Sequence, residues 1–148
     1  MGREGLRLEA AEVVRDCIAT RLRMADRVIT KVYDDALRPL GLKVTQMSML
    51  VLAEDRGLIR QAEVGAELRL DDSTLSRNLE RMRANGWLEE VSADDARVHS
   101  YRLTAAGRAL LERAIPAWRG AQHEAERQLG DAGVQALRRF ASEQGFGG

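Results

Sequence analysis

The chain has 148 residues, of which 45% are hydrophobic and 31% charged, which suits one ordinary globular domain and argues against disorder. Twenty-three basic residues balance twenty-three acidic ones, so the net charge gives no support to nucleic-acid binding and any such role must rest on local distribution. Only 4% of residues are aromatic, which disfavours a stacking platform for single strands, and the single cysteine, Cys17, excludes an intramolecular disulfide. No apolar run approaches the roughly eighteen residues of a membrane span, and "MGREGLRLEA" lacks the apolar core of a secretory signal. A cytoplasmic protein with no membrane partner is expected.

In chain order, Val14, Ile18, Leu22, Ala25, Ile29, Val32 and Ala36 recur at steps of three and four, which predicts one long helix over residues 7–38. Pro39 and Gly41 stop it. A helix of about 30 residues is roughly 45 Å long, more than a small core can cover, so one end is expected to pack on a partner chain. A second helix follows, with Thr45 as N-cap, Met47, Leu50, Val51 and Leu52 as its apolar side, and Gly57 as its breaker. Residues 61–68 predict a short third helix with Val64 and Leu68 inward. Residues 73–85 predict a fourth with Leu75, Leu79 and Met82 inward, capped by Asp71 or Asp72 and closed by Gly86.

Residues 87–103 predict a β-hairpin, with "WLEEV" and "VHSYRL" flanking the glycine-free connector "SADDAR", which calls for an open loop rather than a tight turn. Thr104 can cap a fifth helix with Leu111, Ile115, Trp118, Gln122, Ala125 and Leu129 as its inner stripe and Pro116 as a possible kink. Gly130 ends it, and Asp131 starts a short last helix with Val134, Leu137 and Phe140 inward.

Helix, short helix, turn, helix and hairpin make a winged helix-turn-helix. The fold class is therefore mainly α with a small β-hairpin wing, the head spanning 44–103 between long N- and C-terminal dimerisation helices at 7–40 and 104–146, all within one domain over 1–148. Residues 73–85 are the recognition helix and 87–103 the wing. Such a helix enters the DNA major groove with its N-terminal residues nearest the bases. Ser73, Thr74, Ser76, Arg77, Arg81 and Arg83 are its polar positions, and three arginines against Glu80 leave a local balance of +2. Small hydroxyls can reach base edges or phosphates, and an arginine can grip a guanine or a phosphate. By periodicity alone, an ordinary solvated charged face fits these residues as well.

From about Arg21 to Gly130 the chain resembles the MarR family of transcriptional regulators. The resemblance is carried by "VYDDALRPLGLKVTQMSML", "AEVGAELRLDDSTLSRNLERMRANGWLEEV", "DDAR" and "YRLTAAGRALLERAIPAW" in that order. It implies a homodimer with interlocked terminal helices, two heads reading one pseudo-palindrome in double-stranded DNA, and a repressor or activator responsive to a small aromatic molecule or an oxidant. By position it places Ser73, Thr74, Ser76 and Arg77 at major-groove contacts, with Arg81 and Arg83 nearer the backbone. "DDAR" matches the family's Asp-x-Arg wing motif at Asp95 and Arg97. An acid two residues before an arginine can aim its guanidinium, and an extended tip can then insert it into the minor groove. The chain departs from the family at Arg69, where glycine is common, and at Arg60, where a capping Ser or Thr is common.

Organic-hydroperoxide sensors of that family carry a reactive cysteine in the first long helix, which singles out Cys17 as a redox candidate. Tyr33 is sixteen residues away, however, and a small apolar residue in a dimer interface explains Cys17 more simply. His99 and His123 form no ligand cluster, so no metal is expected, and no cofactor or catalytic constellation is legible. Met24, Met47 and Met49 could line an effector cavity or simply fill the core. No ligand residues are assigned. The competing class is a winged-helix protein-interaction module without DNA binding.

Overall fold

The computed structural model describes residues 2–92 and 94–145; Ala93, in the wing connector, and residue 146, the last of the expected dimerisation segment, lie outside them. The helices are α1 (Arg3–Asp16), α2 (Ile18–Leu37), α3 (Val44–Arg56), α4 (Gln61–Glu67), α5 (Asp72–Ala84) and α6 (Ala105–Glu143); the strands are β1 (Ile59–Arg60), β2 (Leu88–Val91) and β3 (Ser100–Leu103). The strands form one antiparallel sheet in the order β1-β3-β2, with Leu88 opposite Leu103 and Ile59 opposite Tyr101. β1 is absent from the sequence reading because two residues are too few to show a period.

The head packs around one core. Met49, Leu50 and Ala53 of α3 meet Val64 of α4, Leu75, Leu79 and Met82 of α5, and Leu88 and Leu103 of the sheet. All three expected inward residues of α5 are buried. α2 and α6 lie side by side: Tyr33 donates from its hydroxyl to Gln122 Oε1 at 2.6 Å, while Met24–Ile29 lies beside Gln128 and Leu129, so the two helices run antiparallel. Among the described residues no helix is long and apolar enough to cross a membrane.

Several boundaries depart from the sequence reading. The expected helix over 7–38 starts at Arg3 and breaks at Cys17, whose ψ of 109° is extended. No glycine or proline stands at the break. Thr45 is not the cap of α3. Lys43 occupies that position, its N–H donating to Gln46 Oε1 at 3.1 Å, while Val44 N–H donates to Asp34 Oδ1 at 2.8 Å. Two side chains thus take the N–H groups of Lys43 and Val44 and start the helix before Thr45. Val51 points outward, and Gln46, Met49 and Ala53 belong to the buried face instead. Helical dihedrals carry through Pro116, and the interruption of α6 falls at Gly130, as expected. Leu137 and Phe140, expected inward, are exposed.

The turn between α4 and α5 explains the departure at Arg69. Leu70 N–H donates to Gly65 O at 3.0 Å, the six-residue closure of a Schellman motif, which puts Arg69 at the position that must be left-handed. Its φ is +52°, and it is the only non-glycine residue with positive φ among those described. A side chain there costs on the order of 1 kcal/mol. Its Nη2 donates to Gln144 O at 3.3 Å, an exposed bond of small worth. Arg69→Gly is therefore expected to raise stability by about 0.5–1 kcal/mol, once the greater freedom of glycine in the unfolded chain is subtracted. Urea unfolding of the two proteins at equal concentration checks it.

Candidate nucleic-acid interface

α5 begins in a dense cap. Asp71 Oδ1 accepts from Thr74 N–H at 2.8 Å and from Ser73 Oγ at 2.9 Å, and Oδ2 accepts from Thr74 Oγ1 at 2.6 Å. The Thr74 hydroxyl and N–H and the Ser73 hydroxyl bring the Asp71 carboxyl down to about 2, so it is ionised at any working pH. Asp71 alone is the cap; Asp72 is the first helical residue, exposed, where the helix dipole favours an acid. The far end closes in a second Schellman motif: Trp87 N–H donates to Met82 O and Gly86 N–H to Arg83 O, with Gly86 at φ +74°. The chain thereby turns directly into β2.

The polar positions of α5 face solvent in two groups. Ser73, Ser76 and Arg77 are exposed on the first turns and Thr74 is half-buried there. Ser76 Oγ accepts from Gln61 Nε2 at 3.1 Å, and Tyr101 OH donates to Gln61 Oε1 at 3.5 Å. Arg77 Nε donates to Ser73 O at 3.2 Å, which lays the side chain back along the first turn. Among the described residues neither Arg77 nor Arg81 forms an ion pair with a carboxylate. Arg83 differs. Its guanidinium is held by Glu80 at 3.3 Å and by Glu90 of β2 at 3.1 Å, and Glu90 also meets His99 Nδ1 at 2.8 Å. The positive charge of Arg83 is thus already neutralised, which sets it apart from the other two arginines.

The wing has the expected local geometry. Asp95 Oδ1 accepts from Arg97 N–H at 3.0 Å and Nε at 3.1 Å, and Oδ2 accepts from Nη2 at 3.1 Å. These Arg97 bonds hold the Asp95 carboxyl below its ordinary range. A two-point grip of this kind fixes the plane of the guanidinium, and the Arg97 side chain is 89% exposed. An open groove runs between α4, the start of α5 and the wing, with Arg60, Gln61, Asp72, Asp95, Arg97 and His99 on its walls.

The sequence reading missed Gln61, Tyr101 and the Glu80/Glu90 pair as partners of the site. Their contacts span 7–40 residues of chain, so no local pattern announces them. The methionines do not form a cavity together. Met47 and Met49 are core residues, while Met24 is exposed in a shallow hollow between α2 and α6. Cys17 is half-buried at the α1–α2 break, its thiol lowered from the ordinary value mainly by a hydrogen bond with the Thr20 side chain. Tyr33, the nearer tyrosine in sequence, is engaged with Gln122 instead.

Residues 40–98 match the model of the MarR family. The chain is 38% identical to the Mycobacterium tuberculosis transcriptional regulator MosR in complex with DNA, covering 88% of this chain and 94% of that one at a TM-score of 0.76. A probable transcriptional regulator from Pseudomonas aeruginosa is 26% identical over 88% of this chain and 98% of its own, at a TM-score of 0.77. An uncharacterised HTH-type transcriptional regulator of Bacillus subtilis is 29% identical over 77 residues, which span 52% of this chain and 56% of that relative.

Proposed function

The chain belongs to the MarR family of transcriptional regulators, and on that premise we propose that it acts as an effector-responsive repressor, binding a pseudo-palindromic operator in double-stranded DNA as a homodimer. The observation that carries this reading is the pairing of two surfaces on one head. The first turns of α5 present Arg77 and its last turn Arg81, both outside any ion pair among the described residues, and the wing presents Arg97, gripped by Asp95 and otherwise open. One fits a major groove and the other the adjacent minor groove. The 38% identical regulator MosR in complex with DNA supports DNA as the partner of this head.

Homodimerisation is supported by the apolar residues that a single chain leaves bare. Val14 is 80% exposed, Ile18 72%, Leu22 54% and Phe140 61%, on the two terminal helical regions. Such a row of large apolar side chains, continuous with the α2–α6 contact, suits burial by the same helices of a second copy. Ser73, Thr74, Ser76 and Arg77 then serve as major-groove contacts, Arg81 as a backbone contact, and Arg97, positioned by Asp95, as the minor-groove contact. Arg83 contributes least, because Glu80 and Glu90 already neutralise it. An oxidant acting at Cys17 is the second effector class, set against a plain interface role for that residue; unchanged DNA binding by the parent after peroxide, matched by Cys17→Ser, rejects it.

Fluorescence anisotropy on a labelled operator duplex tests the proposal. Affinity should fall steeply as salt rises, because each phosphate contact releases counterions. Arg97→Ala should weaken binding throughout that titration while leaving the major-groove base preferences intact. Salt-independent binding would favour a protein-interaction module, and parent-like binding by Arg97→Ala would mean that the wing does not dock as proposed.

A further inference from the structure

The three hydroxyls at the start of α5 are not equivalent. A hydroxyl has one proton to donate and two lone pairs to accept with. Ser73 Oγ and Thr74 Oγ1 lie 2.9 and 2.6 Å from the carboxylate of Asp71, which can only accept. Both therefore spend their protons on Asp71 and turn lone pairs outward. Ser76 is the reverse case. Gln61 Nε2 donates to its Oγ at 3.1 Å, which occupies a lone pair and leaves the proton free to point away. Gln61 Oε1 in turn accepts from the Tyr101 hydroxyl at 3.5 Å, on a side chain rooted in β3 and 8% exposed.

We infer that Asp71 and Gln61 are positioning residues that preset the hydrogen-bond polarity of this surface, so that Ser73 and Thr74 offer acceptors and Ser76 offers a donor to the duplex. The inference rests on the DNA-binding reading above. A donor at Ser76 suits a phosphate oxygen or the acceptor edges of guanine and thymine. Acceptors at Ser73 and Thr74 are repelled by phosphate and suit the exocyclic amines of adenine and cytosine. Sequence preference is thus written partly by two residues that need not touch a base.

The test uses the full-length protein and the duplex recovered by selection from random DNA. Gln61→Ala and Ser76→Ala should each lower affinity on the order of two- to tenfold, the worth of one net hydrogen bond. The double variant should bind no worse than Ser76→Ala alone, because Gln61 acts only through Ser76. Tyr101→Phe, which keeps the buried ring, should lower affinity in the same direction. Gln61→Glu should lower it further, since a carboxylate draws the Ser76 proton inward, and this extra loss should shrink in the Ser76→Ala background. Asp71→Asn keeps an N-cap acceptor but offers an amide to the two hydroxyls; its selected sites should lose the preference for amine-bearing bases opposite Ser73 and Thr74. Additive losses in the Gln61/Ser76 pair, parent-like binding by Gln61→Glu, or unchanged preferences in Asp71→Asn would overturn the inference. A parent protein that enriches no sequence at all overturns the DNA-binding reading itself, which is a different failure.

Discussion

Arg77→Ala is expected to weaken operator binding by about 1–3 kcal/mol, roughly five- to 150-fold, and to relax base preference at one position of each half-site. Its Nε is committed to Ser73 O at 3.2 Å, so the remaining guanidinium donors project from the first turns of α5, the part of a recognition helix that lies nearest the bases. The comparison that gives this result meaning is Arg83→Ala. Arg83 sits six residues further along the same helix, held by Glu80 and Glu90. Removing it takes away a charge that its neighbours already balance, so the loss should be well below that of Arg77→Ala. Anisotropy titrations of both variants at one salt concentration make the comparison. Equal losses would mean that binding follows the number of arginines rather than their placement, and the docking of α5 would have to be redrawn.

Gly107→Ala is expected to cost about 3 kcal/mol of folding stability, near the upper end for overpacking. A Cβ at Gly107 would lie 2.1 Å from Trp87 O and 2.6 Å from Leu103 Cδ2. The first of these is a backbone atom that already accepts from Thr104 N–H at 3.1 Å and from Thr104 Oγ1 at 3.2 Å. The clash cannot be relieved by rotating a side chain; the start of α6 must move away from the exit of α5. The Thr104 hydroxyl also accepts from Gly107 N–H at 3.0 Å, so the same movement disturbs the cap of α6. Gly120 lies on the same helix, where an added Cβ meets nothing within 4 Å. Gly120→Ala should therefore be neutral or stabilise by up to about 1 kcal/mol. Urea unfolding at fixed protein concentration separates the two, since a dimer's stability depends on concentration. Because this junction joins the recognition helix to the wing and to the long helix, Gly107→Ala should also weaken DNA binding at temperatures where the protein remains folded.

What could be read in the sequence is what short-range chemistry determines. Asp71, Gly86 and Thr104 act within three or four residues of themselves, through caps and left-handed turns, and each stands where its type predicts. Leu75, Leu79 and Met82 are buried as their helical spacing requires. The Asp95–Arg97 grip is local as well. Features set by distant chain were not legible. Asp34 reaches across ten residues to take the Val44 N–H, so that α3 starts ahead of Thr45, and β1 exists only because β3 pairs with it. Gln61 meets Ser76 and Tyr101 only after the head has folded. The length of the N-terminal helix announced that its own core would leave one end bare, as Val14, Ile18 and Leu22 are, whereas Leu137 and Phe140 at the end of α6 were expected inward and are exposed. Periodicity reports that a face is apolar and says nothing of which molecule covers it. The break at Cys17 has no local signal at all.

The central claim is that two such heads read one duplex together, and selection of bound sites from random double-stranded DNA tests it most directly. The expected result is a single enriched pseudo-palindrome whose half-sites lie about one helical turn, roughly 10 bp, apart. Recovery of no enriched sequence, or of an isolated half-site with no symmetric mate, would contradict it.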